Sequence, residues 1–233
     1  MTRRLCPVLL FGLSLACGAS THSPSTVEPN QKAVVSPQSE STKPALLVRA
    51  GRVPSFEAGA FLVSDFESGT IEHGWGGKWK TSSDPHHLGT TLLPNPLVVS
   101  AAGASGSKYG LRIHGHFGRN VEPWPYADVR ASFSPADLSS VETVRFHVRG
   151  DGKKYILALV RETVVDFAHY RAEFVAPKEW TQVELPLMAF HQPEWGIPVS
   201  MDWRDVTALS FQPSATLNDE SYELEFDDLE LLR

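Results

Sequence analysis

The chain predicts an all-β fold, a β-sandwich, on three observations. Short runs of alternating apolar and polar residues recur from residue 133 to the end of the chain. Pro or Gly stands between most of these runs. Once a leader and a polar stretch are set aside, roughly 180 residues remain, enough for one sandwich core but not for two domains.

The elements follow in order. FLVSDFE, residues 61–67, reads as a first strand ending in Asp65-Phe66-Glu67, and a glycine-rich loop with Trp75 and Trp79 comes after it. SGSKYGLRIHGHFG, residues 105–118, reads as a strand approached through a turn of small residues. In VETVRFHVRGDGKKYILALV, residues 141–160, alternation puts Val144, Phe146 and Val148 on one face. Arg149-Gly150-Asp151-Gly152 then turns the chain into 155–160, so the pair is expected to form a hairpin. Further strands are expected at 170–175, 181–185, 209–212 and 222–232.

The first 17 residues place Arg3 and Arg4 ahead of an apolar core at about 5–15, with small residues following, which is the layout of a signal peptide. Their end, Leu-Ser-Leu-Ala-Cys, resembles the lipobox of bacterial lipoproteins, which implies lipidation of Cys17. Ser14 departs from that motif and leaves ordinary cleavage near Ala19 as the alternative. Of the two cysteines, Cys6 lies inside the leader, so the folded part has neither a disulfide nor a thiolate metal site. Residues 18–55 are rich in Ser, Thr and Pro without apolar periodicity, and are expected to form a disordered tether. Residues 56–233 form the expected domain. A net charge of −6 without a basic run argues against a nucleic-acid partner.

Three features are the most specific: the Asp-Leu-Ser ahead of the RGDG turn, Glu-Trp-x-x-Val at 179–183, and the terminal Asp-Asp-Leu-x-Leu. With the segments quoted above, they resemble the galactose-binding-domain-like jelly rolls, in particular the complex I intermediate-associated protein family and the family-11 type carbohydrate-binding modules. The resemblance covers roughly residues 61–233 and leaves the ligand open, since this fold hosts sugar binders, assembly factors and linker modules. It also implies a structural calcium between the first and last strands. The matching positions are Glu67, the Lys108 carbonyl, and Asp227 or Asp228, oxygen donors of the kind calcium takes. The plainer reading of Glu67 and Asp227 is as solvated strand-end carboxylates.

Catalytic patterns are weaker. Glu225, Asp227 and Glu230 share the spacing of the catalytic strand in certain jelly-roll β-glucanases, but that strand stands here at the chain's far end, without the sequence needed to complete a cleft. His114 and His116 share a strand face without a third ligand, and His86-His87 reads as a solvated loop. The domain is therefore expected not to be an enzyme.

Aromatic residues give the better lead, because sugars lay their apolar faces on flat rings while polar side chains take the hydroxyls. Trp75, Trp79, Trp124, Tyr126 and Trp195 are the candidates, each with a core-packing alternative. The expected ligand-binding set is Arg161, Asp166, His169, Tyr170 and Trp195, around a hairpin from 159 to 174. A surface ion pair between Arg161 and Asp166 is the alternative for those two. The expected function is extracytoplasmic, lipid-anchored carbohydrate binding, with an outer-membrane lipoprotein as the expected location. The alternative is an interaction module for an envelope protein. A polysaccharide or glycan is the expected partner, and the membrane is expected to be met through the N-terminal lipid only.

Overall fold

A computed structural model of the chain describes residues 54–83, 90–119, 126–214 and 219–233. The expected leader, Cys17, most of the tether, His86, His87 and Trp124 lie outside them. The described residues form thirteen strands: β1 (Ala60–Ser64), β2 (Glu72–His73), β3 (Gly77–Ser83), β4 (Thr91–Leu93), β5 (Val99–Ala101), β6 (Tyr109–Phe117), β7 (Ala127–Ala136), β8 (Thr143–Gly150), β9 (Lys154–Arg161), β10 (Tyr170–Val175), β11 (Thr181–Pro186), β12 (Val206–Pro213) and β13 (Glu220–Leu232). Short 3₁₀ turns at Ala104–Gly106 and Leu187–Ala189 are the helical pieces among them.

Two antiparallel sheets face each other. Sheet A runs β10-β9-β12-β7-β3-β2; sheet B runs β11-β8-β13-β6-β4, with β1 also on β13 and β5 on β6. Alternation drives the packing: Val144, Phe146 and Val148 of β8 and Tyr155, Leu157 and Leu159 of β9 are buried in the same core. Phe211 and Phe226 stack between the sheets with centroids 4.2 Å apart, and Phe146 meets Phe211 edge-on at 5.2 Å. Trp79 is fully buried, its indole N–H donating to Ser64 Oγ at 2.9 Å.

The strands at 143–150 and 154–161 are both present, yet they do not form a hairpin. β8 pairs with β11 and β13 in sheet B, while β9 pairs with β10 and β12 in sheet A. Gly152, at φ +83°, helps take the chain from one sheet to the other. Both strands bury their alternate side chains in one shared core, and this calls for facing sheets rather than adjacent strands. The hairpin between β9 and β10 is as expected, with Leu159 opposite Tyr170.

Several crossings meet at one end of the sandwich. Arg161 and Ala136 both lie opposite Val206, at one end of sheet A. From Ala136 the chain crosses to β8, and on the way Leu138 N–H donates to the Trp203 carbonyl and Glu142 N–H to the Leu232 carbonyl. Leu232 lies opposite Ala60, the first residue of β1, so the chain enters the domain at this same end.

Candidate functional site

The outer face of sheet A is built by alternation on five strands. Core-facing residues on β10, β9, β12, β7 and β3 include Ala172, Leu157, Leu209, Val129 and Trp79, which leaves their neighbours on the other face. Register then aligns Arg171, Ala158, Ser210, Arg130 and Lys80 in one row across the sheet. Small side chains occupy the two middle strands and long cationic ones the flanks, so the row makes a shallow trough. A second row holds Glu173, Ile156 and Gln212, and a third Val160, Ala208 and Ser132.

Within this trough Asp128 is 1% exposed. Its Oδ2 accepts from Arg130 Nε (3.0 Å) and Nη2 (2.6 Å) and from Ser210 Oγ (2.8 Å). Gln212 Nε2 donates to Ser210 Oγ at 3.1 Å, so Arg130 and Gln212 close over the carboxylate. Oδ1 is buried without a hydrogen-bond partner. A buried acceptor left unpaired costs about 1–3 kcal/mol. The cluster is thus a set of fixed planar donors and acceptors around one unsatisfied oxygen, flanked by Lys80 and Arg171.

Of the five residues expected to bind ligand, His169 is the one that feels this cluster. It is half-buried, and burial, with the charge of Arg130 next, holds its imidazole down to about 4, so it is neutral at neutral pH. Its Nδ1 accepts from Arg161 N–H at 3.4 Å, which assigns the remaining proton to Nε2.

Arg161 and Tyr170 depart from the expectation. Arg161 continues the inward series of β9, is 2% exposed, and pairs with Asp205 at 2.6 Å rather than with Asp166. Tyr170 is also buried, and its hydroxyl donates to the Val199 carbonyl at 2.7 Å. Asp166 accepts from the backbone N–H groups of Ala168 and Ile197, tying two loops together. Trp195 is 65% exposed in the loop after β11. Among the other aromatics, Trp79 is core, Trp75 stacks on Phe133 at 3.8 Å, and Tyr126 stands exposed beside Ser82 at the far end of β3.

The residues expected to hold calcium are engaged by hydrogen-bond donors. Glu67 Oε1 accepts from Ser107 Oγ and from the N–H groups of Lys108 (2.8 Å) and Tyr109 (3.1 Å). These donors, Ser107 foremost and then Tyr109, lower its carboxyl below the ordinary range. The Lys108 carbonyl accepts from Ala102 N–H at 2.8 Å. Asp227 is fully buried and accepts from Ala104 N–H (2.9 Å) and Asp228 N–H (2.8 Å), while Asp228 sits 3.1 Å from His147. N–H and O–H donors thus meet both carboxylates, and the Ser107 hydroxyl that meets Glu67 also lies 2.9 Å from the Tyr109 carbonyl. Among the described residues no three His, Cys, Asp or Glu side chains gather on a common point.

The carboxylates of the supposed hydrolase are likewise dispersed on the outer face of sheet B. Glu225 pairs with Arg149 at 2.9 Å, Glu230 with Arg145 at 2.6 Å, and Asp227 caps the backbone just described. A register shift between Asp227 and Glu230, with Asp228 at φ +48°, breaks the regular alternation that the shared spacing presupposed. His116 meets Asp219 at 3.0 Å.

Sandwich topology and terminal strand now stand beside a direct match: residues 106–226 fit the sequence model of complex I intermediate-associated protein 30 (CIA30). The chain belongs to the CIA30 family. No curated protein matches it. Among solved structures, this CIA30-family chain is similar to a family 11 carbohydrate-binding module from Clostridium thermocellum in complex with a β-1,3-1,4-mixed-linked tetrasaccharide. Identity is 16%, the match covers 76% of this chain and 97% of that one, and the TM-score is 0.56. It is similar as well to the family 11 module of the cellulosomal cellulase Lic26A-Cel5E of Clostridium thermocellum, at 15% identity, 76% and 96% coverage, and a TM-score of 0.54. At these identities the likeness establishes the jelly-roll fold.

Proposed function

We propose that this domain is a non-catalytic, extracytoplasmic carbohydrate-binding module, lipid-anchored through Cys17, that takes a glycan on the outer face of sheet A. The observation that carries the reading is the row Arg171, Ala158, Ser210, Arg130, Lys80, in which long cationic side chains flank small ones on an open sheet face. Hydroxyl groups that are both donor and acceptor suit such a surface, where a carboxylate, two guanidinium groups and an amide lie within one trough. The tetrasaccharide named with the similar family 11 module supports the substrate class. The CIA30 family's description, an intermediate-associated protein, favours a second reading, a protein-interaction module.

The test is a glycan-array and calorimetric screen of residues 18–233, with Lys80→Ala and Arg171→Ala as variants that leave the core untouched. Saturable binding to a polysaccharide, weakened about tenfold in each variant, is expected for hydrogen bonds to charged groups. Silence across a broad panel would overturn the reading in favour of a protein partner.

A further inference from the structure

Among the described residues eleven large hydrophobic side chains are exposed, and six of them, Val165, Phe167, Met188, Trp195, Ile197 and Met201, stand in loops beyond the same end of the sandwich. Phe167 is 85% exposed, Met188 84% and Val165 78%. Exposure of this kind, concentrated in one place, marks a contact surface.

The loops that carry this crest are braced. Asp166 joins loop 162–169 to Ile197, and Gln192 donates to the Ile197 carbonyl (2.8 Å) and accepts from Val199 N–H (2.9 Å). Gly196 lies so close to Ala168 that a Cβ there would collide with it. Phe167 adopts φ +65°, a left-handed conformation that a bulky residue takes only when its surroundings impose it. The fold therefore holds these side chains outward.

We infer that this crest docks the domain on a lipid bilayer. The occupant follows from two observations. The chain joins the sandwich at this same end, through Ala60 opposite Leu232, and the sequence before residue 54 carries the apolar leader and Cys17. The crest thus stands at the end of the sandwich where the described residues begin. Its chemistry also selects lipid over sugar. Four of the six residues are aliphatic or thioether side chains with no flat face for a pyranose to stack on, while a bilayer interface accepts all six and favours Trp at the headgroup level. Glu162 and Glu194 flank the crest, both exposed, so attraction rests on apolar insertion rather than on anionic headgroups. Contact with the membrane is then made by the domain itself as well as by an N-terminal lipid. The crest and the sheet A trough share no residue, so lipid docking is independent of glycan binding.

The experiment is co-sedimentation of non-acylated residues 18–233, which carry the whole sandwich core, with phosphatidylcholine vesicles. Three proteins are compared: wild type, Phe167→Ser with Trp195→Ser, and a control with Tyr126→Ser and Val175→Ser, exposed apolar residues outside the crest. Wild type and control are expected to pellet equally at low and high salt, while the crest variant loses affinity about tenfold or more. Circular dichroism checks that all three are folded. Failure of wild type to pellet, or equal pelleting of the crest variant, would overturn the inference. So would a wild-type dimer that the crest variant dissolves, which would give the crest to a second copy.

Discussion

Arg161 and Asp205 form a buried ion pair, Nε to Oδ1 at 2.6 Å, with side chains 2% and 0% exposed. Arg161 Nη1 also donates to the Ser200 carbonyl (2.8 Å), and Asp205 Oδ2 accepts from Thr163 N–H (3.1 Å) and Thr163 Oγ1 (2.6 Å). The pair thereby fixes the feet of both crest loops to the end of sheet A. Removing one partner leaves the other charged and buried. Arg161→Ala and Asp205→Ala are each expected to cost about 3–5 kcal/mol in urea unfolding, whereas Arg161→Met with Asp205→Leu recovers a large part of that loss. Equal losses in the single and double variants would contradict this account.

Trp79 sits where the aromatic core of both sheets meets, 5.2 Å from Phe226 and 6.1 Å from Phe211. Trp79→Ala is expected to destabilise the domain by about 3–5 kcal/mol, the range for emptying a buried aromatic site. Trp75→Ala, at a partly buried position, should cost distinctly less. Thermal unfolding of the two variants side by side checks the order.

The donors around Glu67 predict indifference to calcium. Excess calcium or EDTA should leave the thermal midpoint of wild type unchanged. Glu67→Gln weakens three hydrogen bonds to a charged acceptor and is expected to lower the midpoint slightly. A calcium-dependent rise in the wild-type midpoint, absent from Glu67→Gln, would show that the donors give way to a cation.

Acid stability carries two opposing slopes. His169 is held from its ordinary 6.5 down to about 4, so the unfolded chain takes its proton first. The stability it contributes is complete above 6.5 and is lost as the pH falls toward about 4. Asp227 is pushed by burial from 3.8 up to about 6, and its contribution runs the other way, present below 3.8 and lost as the pH rises through about 6. His169→Gln should flatten the acid limb of a stability profile, and Asp227→Asn should stabilise the protein above about pH 6 relative to its value near pH 4. Urea midpoints measured across this range decide both; profiles parallel to wild type would refute them.

Much of the fold was legible because β8 to β13 advertise themselves. Val144, Phe146 and Val148 alternate without interruption, and β10 and β11 begin where the pattern places them. Strand partners were not legible, since alternation specifies a buried face but not which neighbour supplies the hydrogen bonds. The trough was missed with β7, the strand that supplies Asp128 and Arg130. In β7 the inward positions include Ala127, Val129 and Ala131, and the outward ones Asp128, Arg130 and Ser132, so small residues leave little β signal. Arg161 and Asp166 looked like neighbours by spacing. Asp205, the partner that claims Arg161, comes forty-four residues later and is brought in by β12 pairing with β9.

The position of β13 bears on how the protein is made. This strand lies between β8 and β6 and also carries β1, so sheet B lacks its middle until residues 220–232 are available. Without them sheet A still has all of its strands, whereas sheet B is left as two separate pieces, β8 with β11 and β6 with β4 and β5. The pairing of Ala60 with Leu232 spans nearly all the described residues, so the closure of sheet B on β1 is among the last contacts to form. A protein arranged in this way has one sheet able to form early and waits on a single strand to join the two halves of the other.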